Sequence, residues 1–596
     1  MRCGADTGGT FTDLVADDGR IVKVLSSPDD PASAVSEGLG RLDRDRKPQL
    51  LAHGTTVATN ALLERRGARV TLLTTHGFAD VLEIARQDRP SLYDIWADRP
   101  EPLVPRDRRL EVPGRLDATG SELEPLDTDA VPELPDTTES VAVSLLHADL
   151  DPAHERAVAA ALADRGADDV TCSSEVSPEF REYERTVTTV VNAYLRPRLR
   201  RYLRSLVDVA DRVLVMTSAG GLLPADEAAE LPVALLLSGP AGGVRAGAAA
   251  AAGAGFPDAV TFDMGGTSTD VCLVQGGTPE PAPGRTAAGF PIRLPALDIH
   301  TIGAGGGSIA AIDSGGALVV GPESAGADPG PACYGRGGSR PTVTDADLVL
   351  GRIPADAAFG GLEALDRAAA EAALADVGAS AEGVVSVVDA AMERAVRVVS
   401  VQRGVDPAGL ALVAFGGAGP LHACAVADGA GMRAVVVPPR AGVLSAVGLL
   451  CSPRQRDLVR SWPHPGDHEG LDDALADLAD AARRAVDDEG AEVVTSLDCR
   501  YAGQSHELTV ARPEDFEDEH RRRNGYARSG APLEIVALRA RARLPAAVSV
   551  DDLGPPSTPR KATKGPTVIA EPDCTVWVPE GWTADVGPDG SWVLTR

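Results

Sequence analysis

"DTGGTFTD" at Asp6–Asp13 is written again as "DMGGTSTD" at Asp263–Asp270. Asp, Gly-Gly-Thr, Thr and Asp keep the same offsets in both copies: Asp6, Gly8, Gly9, Thr10, Thr12 and Asp13, then Asp263, Gly265, Gly266, Thr267, Thr269 and Asp270. Apolar text on both sides makes each copy read as a strand, a tight Gly-Gly turn and a returning strand. Glycines at such a turn let backbone N–H groups reach phosphate oxygens with no side chain in the way. An acid at the end of the incoming strand adds a ligand for Mg²⁺ or an orienting group for a nucleophile. A single Asp-Gly-Gly turn is ordinary turn chemistry. Two copies, each near the start of an α/β run, predict two domains that clamp one polyphosphate.

The surrounding text supports two such domains. "QLLAHGTTVATNALLERRGARVTLLTT" (Gln49–Thr75) reads strand, helix, strand, while "RVLVMTSAGG", "LLLSGPAGGVRAGAAAAAG" and "GLALVAFGGAGPLHACAVA" each run a strand into a Gly-rich turn. The expected division is 1–184, 185–460 and a smaller α+β C-terminal domain over 465–596, with an acidic helix and alternating strand text. No G-x-x-x-x-G-K-[ST] occurs, and no clean G-x-G-x-x-G follows the first strand, so P-loop and dinucleotide-binding folds are excluded.

Net charge is −30, with lysine at only Lys23, Lys47, Lys561 and Lys564. Nucleic acid and anionic membranes call for a basic footprint, so neither is an expected partner. An acidic, lysine-poor surface suits high salt, which screens its self-repulsion, and a halophilic source is expected. No apolar run approaches the ~20 residues of a membrane span, and no secretory leader opens the text, so the expected location is cytoplasmic. The eight cysteines form no C-x-x-C pair and read as buried reduced thiols.

Longer stretches resemble the hydantoinase A/5-oxoprolinase family, within the actin, sugar-kinase and Hsp70 ATPase superfamily. They include "HGTTVATNALLERRGARVTLLTTHGFADVLEIARQDRP", "SGPAGGV", "DIHTIGAGGGSIA", "GPESAGADPGPACYGRGG", "TVTDADLVLGRI", "FGGAGPLHA" and "GVLSAVGLL", besides the two hairpins. The resemblance implies two duplicated actin/Hsp70-like (ribonuclease H-like) ATPase domains using ATP and Mg²⁺. It implies phosphorylation of the carbonyl oxygen of a lactam or hydantoin, as in N-methylhydantoinase or 5-oxoprolinase. Ring opening is then completed with a separate hydantoinase B-type subunit in a hetero-oligomer. The alternatives are the ATP-using subunit of an acetone or acetophenone carboxylase, which would phosphorylate a ketone enolate, and a chaperone-like reactivating ATPase.

On this reading Gly8, Gly9, Thr10, Gly265, Gly266 and Thr267 form two phosphate cradles, and Asp6 and Asp263 are catalytic residues serving Mg²⁺. Asp263 is also a candidate base. Gly416, Gly417 and Gly419 are expected to pass close to the adenosine, and Gly303, Gly305 and Gly306 to lie near the phosphates or a hinge. Asp298 and His300, two residues apart, are candidate ligands of an additional divalent metal if they share a strand face. Asp13 and Asp270 read equally as backbone-satisfying residues further down the strand. His53, Thr55, Thr56 and Asn60 read as a carbonyl-docking turn, Arg86 and Gln87 as substrate selectors, and His422 as a helix cap.

Overall fold

The computed structural model describes residues 1–596 except 10, 28–29, 357–363 and 556–557. Two sheets carry the repeat. In the first, β1 (Arg2–Thr7) and β2 (Phe11–Ala16) form the expected hairpin, and β3 (Ile21–Leu25) returns after a turn with Gly19 at φ +83°. Parallel to β1 runs β4 (Leu50–Thr55), and parallel to that β5 (Val213–Met216), giving the order β3-β2-β1-β4-β5.

In the second sheet β6 (Ala259–Met264), β7 (Thr269–Gln275) and β8 (Thr278–Pro279) make the same antiparallel meander. Then β9 (Ala411–Phe415) and β10 (Ala434–Val437) add in parallel, giving β8-β7-β6-β9-β10. The echoed text therefore marks a repeated topology. The parallel strands β4, β9 and β10 are buried along their whole length, as helix-covered parallel strands must be.

The two halves meet through helices α1 (Gly239–Gly253) and α3 (Leu444–Leu450), while α2 (Gly419–Ala430) lies between β9 and β10 in sequence. The α1–α3 approach is so close that a Cβ on Gly448 would stand 1.9 Å from the Gly242 carbonyl oxygen. Only glycine permits that crossing, so this pair fixes the spacing of the sheets.

A separate four-stranded parallel sheet, in the order Val170–Cys172, Ser140–Ser144, Val70–Thr75 and Arg109–Val112, is inserted between β4 and β5. The helix Glu182–Val207 runs through the expected 184/185 boundary, and β5 beyond it still belongs to the first sheet. Residues 465–596 do not form one unit. Glu492–Tyr501, Leu508–Val510 and Leu533–Leu544 extend the first sheet through Arg454–Ser461, whereas Trp592–Thr595, Thr583–Val586 and Thr563–Lys564 extend the second. All eight cysteines are unpaired, and all but the half-buried Cys451 are buried.

Candidate active site

Each hairpin closes with the same hydrogen bond, Gly8 N to Phe11 O at 3.0 Å and Gly265 N to Ser268 O at 3.1 Å. The register puts Asp6 opposite Asp13 and Asp263 opposite Asp270, so each repeat presents a cross-strand pair of aspartates. The two turns face one cavity of about 340 Å³, a usual size for a small-molecule site. Asp6, Gly8, Gly9, Asp13, Asp263, Gly265, Gly266, Thr267 and Asp270 all line it. Thr10 lies outside the described residues.

The electrostatics follow from burial. Asp263 is pushed up to about 8 by burial, then by Asp270 and Asp6, against a weak Ser445 Oγ contact at 3.4 Å. Asp6 rises to about 7 through burial and the neighbouring Asp13, with Lys23 pulling the other way. Asp270 rises to about 6 through burial, resisted by a hydrogen bond from Thr301. Burial also raises Asp13, although Lys23 pairs with it at 2.6 Å from the adjacent strand. Four enclosed carboxyls share one ammonium, and a hard divalent cation with phosphate ligands, displacing the protons, suits that all-oxygen donor set.

The glycines make room for these acids. A Cβ on Gly416, which has φ +80°, would stand 2.4 Å from Asp263 Oδ1, and one on Gly54 would stand 2.9 Å from Asp6 Oδ1. No three of the four aspartates converge as a ligand cage. Among the described residues the one His/Cys/Asp/Glu triplet with mutual ligand distances within 4.8 Å is His147, Asp149 and Glu182, where Arg185 pairs with both acids. A cation between the hairpins would therefore take few direct protein ligands and fill its shell with water and phosphate oxygens.

Of the third loop, Gly416 and Gly417 line the cavity, whereas Gly419 starts α2 against Phe262 and packs rather than lines. Gly306 lines it, and Gly306 N and Gly307 N bind the Gly265 and Gly266 carbonyls at 3.0 and 2.7 Å. Gly305 packs flat on that turn, a Cβ there falling 2.7 Å from Thr267 N, while Gly303 packs against Pro322 away from the cavity wall.

Asp298 and His300 do not join a metal site. Asp298 precedes the strand Ile299–Ile302, and its carboxylate pairs with Arg403. His300 sits half-buried on that strand, its pKa lowered by burial. His53 is a buried core residue: Nδ1 donates to the Ala5 carbonyl at 3.1 Å, so Nε2 accepts from Tyr202 at 2.7 Å. Thr56 reaches the cavity; Arg86 instead pairs with Glu184 beside a second cavity of about 490 Å³. The wall also holds Lys23, Gly239, Pro240, Asp347, Ser445 and Asp573, of which Gly239, Pro240, Asp347 and Ser445 lie in the family-like stretches without an individual role expected of them.

Models of the hydantoinase/oxoprolinase N-terminal region and of hydantoinase/oxoprolinase match residues 2–166 and 185–457. The caprolactamase subunit alpha of Pseudomonas jessenii is 34% identical across 100% of this chain and 99% of its own length. The chain belongs to the hydantoinase/oxoprolinase family. Another relative, 5-oxoprolinase 1 of Arabidopsis thaliana, is 36% identical over 75% of this chain, and the match spans only 41% of that protein. Among solved structures, ATP-dependent caprolactamase from Pseudomonas jessenii superposes with a TM-score of 0.86 at 32% identity and full coverage of both chains. The family models stop at residue 457, and the likeness to the caprolactamase extends further, over the C-terminal strands that divide between the sheets.

Proposed function

We propose that this chain is the ATP-using subunit of a cyclic amide hydrolase, built on the duplicated actin-like ATPase frame. One observation carries the reading: two Asp-Gly-Gly hairpins of identical register face each other across a cavity that also takes in the Gly416–Gly417 turn. The family and the ATP-dependent caprolactamase relative favour a lactam or hydantoin as acceptor. The hairpin turns would hold the β- and γ-phosphates, and Asp6 and Asp263 are the residues that would hold Mg²⁺, which when bound would supply charge neutralisation on the phosphates.

The amide oxygen attacks the γ-phosphorus, the bond from that phosphorus to the β-bridging oxygen breaks, and ADP leaves. Phosphorylation turns a resonance-stabilised carbonyl carbon into an electrophile. Water then adds to that carbon, and the ring C–N bond breaks as the nitrogen takes a proton and leaves as the amine. A second water hydrolyses the resulting acyl phosphate to carboxylate and inorganic phosphate. The protein contributes positioning and electrostatics rather than covalent chemistry.

The water step belongs to a hydantoinase B-type partner. The segment around Leu92–Trp96 is the surface we assign to that contact, because Leu92, Tyr93, Ile95 and Trp96 are 77, 96, 83 and 83% exposed. Soluble chains leave such apolar concentrations uncovered chiefly where a partner covers them. No helix among the described residues is long and apolar enough to cross a membrane.

The test is ADP release with Mg²⁺ in high salt, across 5-oxoproline, hydantoins, larger lactams and ketones with bicarbonate, with and without the partner. Stimulation by a cyclic amide supports the proposal. Stimulation only by a ketone with bicarbonate, or only by unfolded protein, replaces it with the carboxylase or the chaperone-like reading.

A further inference from the structure

Arg539, Arg541 and Arg543 alternate along the strand Leu533–Leu544 and so share one face of the first sheet. Arg539 is compensated twice, by Glu179 and by Asp498. Beyond it the acids run out. Opposite Arg541 and Arg543, on the strand Arg454–Ser461, stand Asp457 and Gln455. Arg541 Nε pairs with Asp457 Oδ1 at 2.6 Å, and Gln455 Nε2 donates to Asp457 Oδ2 at 2.6 Å, so both carboxylate oxygens are taken. Arg543 reaches only the neutral Gln455 Oε1, from Nε at 3.2 Å and Nη2 at 3.0 Å. Glu492, its neighbour on the other side, is exposed and pairs with no cation among the described residues.

A third guanidinium joins this pair from α1. A Cβ on Gly220 would stand 3.0 Å from Arg245 Cδ, and one on Gly221 would stand 2.3 Å from Gln455 Cβ. The two glycines therefore let the Arg245 stem pass over their turn beside Gln455. Arg245 makes no hydrogen bond or ion pair among the described residues, and burial, then Arg543 and Arg541, lowers it to about 10. Arg543 is lowered as well, by burial and then by Arg541. Like charges held this close repel, and the one enclosed acid among them is already shared. Such a surplus of positive charge is local, since the chain as a whole carries −30.

The unused donors are open. All three side chains are half-buried, and none of their nitrogens is a buried atom without a partner. Those left free therefore face solvent: the whole Arg245 head, both Nη atoms of Arg541 and Nη1 of Arg543. We propose that Arg245, Arg541 and Arg543 form a binding site for a small oxyanion, phosphate or carboxylate, outside the cavity between the hairpins. Guanidinium groups present paired N–H donors that match two oxygens of either anion. None of the three lines the hairpin cavity, and the site does not rest on the ATP reading. Gly239 and Pro240 at the start of α1 do line that cavity, so a bound anion ties its wall to the C-terminal strands through Arg245.

The experiment titrates inorganic phosphate and acetate separately into the full chain, R245Q and R543Q by calorimetry at constant ionic strength. The same anions are added in thermal unfolding of each protein. The expected result is one equivalent of phosphate or acetate that both variants bind ten-fold or more weakly. That anion should raise the unfolding midpoint of the unaltered protein, and raise it less in R245Q. Phosphate held between the hairpins would survive both substitutions, so the equivalent that counts is the one they remove. Loss of a phosphate site alone, or of an acetate site alone, supports the proposal and identifies the oxyanion. Failure of both anions to bind, or the same equivalents at unchanged affinity in R245Q, overturns it. If R245Q fails to fold, R543Q decides: unchanged affinity there overturns the proposal.

Discussion

Asp263→Asn should stabilise the nucleotide-free protein while abolishing its ATP turnover. At pH 7 the unfolded carboxyl, near its ordinary 3.8, is ionised, whereas burial beside Asp270 and Asp6 holds the folded one up to about 8 and so protonated. Folding must therefore take up a proton across about three pH units, at about 1.4 kcal/mol each, or about 4 kcal/mol in all. Because the folded value is the higher, the stability this group allows is full below about pH 4 and declines as pH rises towards 8. Asparagine keeps the volume and has no such cost, although its amide needs partners of its own. The net gain expected is about 2–4 kcal/mol at pH 7.5, shrinking below about 1 kcal/mol at pH 4.5. Urea unfolding in EDTA at both pH values reads it, and ADP release reads the loss of turnover. A variant less stable than the parent at pH 7.5, or a gain equal at both pH values, would refute the idea that Asp263 is enclosed without compensation.

Lys23→Met leaves the Asp13 carboxyl enclosed without its cation, and should cost about 2 kcal/mol at pH 8 with a smaller loss at pH 5, read by denaturant midpoints. Gly416→Ala forces a Cβ to 2.4 Å from Asp263 Oδ1 at φ +80°; about 1–3 kcal/mol of stability and most ATP binding should go, in urea unfolding and calorimetry. Trp96→Ala and Tyr93→Ala should leave ATP binding by the isolated chain intact but weaken co-purification with the partner; undiminished co-purification removes that segment from the interface. With a net charge of −30, the unfolding midpoint should climb between 0.1 and 2 M KCl, and a flat response would contradict the high-salt reading.

The hairpins and the third glycine loop were legible because local chemistry decides them: strand text, glycine and a turn acid lie within eight letters. Thr7 and Thr12 flank a four-residue loop, which sets Asp6 against Asp13 and takes Asp13 and Asp270 out of the backbone-satisfying role. Lys23 was one strand away, at the cross-strand position of Asp13. Ser445, Gly239 and Asp347 lie within the family-like stretches "GVLSAVGLL", "SGPAGGV" and "TVTDADLVLGRI", but nothing local shows that they face the hairpins, since only the α1–α3 crossing and the stacking of one half on the other bring them in. Asp298 and His300 failed for a related reason: the shared-face argument needs both on the strand, but Asp298 lies just before it and meets Arg403. The C-terminal strands read correctly as strands, yet which sheet edge takes each is settled by unpaired edge groups far away in sequence.

The two halves of the motif are alike in backbone and unlike in charge. In the first, Asp13 faces Lys23 across β2 and β3, so one of its two carboxyls has a cation. In the second, the residue across from Asp270 on Ile299–Ile302 is Thr301, which gives a hydrogen bond and no charge. Accordingly Asp263 is raised further than Asp6, and part of its shift comes from the first hairpin itself through Asp6 and Asp13. Binding a divalent ion must displace protons, and the hairpin with the higher values has more to gain once they leave. On the proposed reading the repeat would supply symmetry for gripping phosphates, and the Lys23/Thr301 difference would break it by drawing the cation nearer Asp263 and Asp270. Mg²⁺ affinity for the ATP complex should fall steeply as pH drops from 8 to 6. The fall should be lessened more by Asp263→Asn than by Asp6→Asn, because Asp263 is the group that yields its proton last. Isothermal titration of Mg²⁺ into each ATP-loaded protein measures it, and an equal pH slope in the two variants would argue for an ion shared evenly between the hairpins.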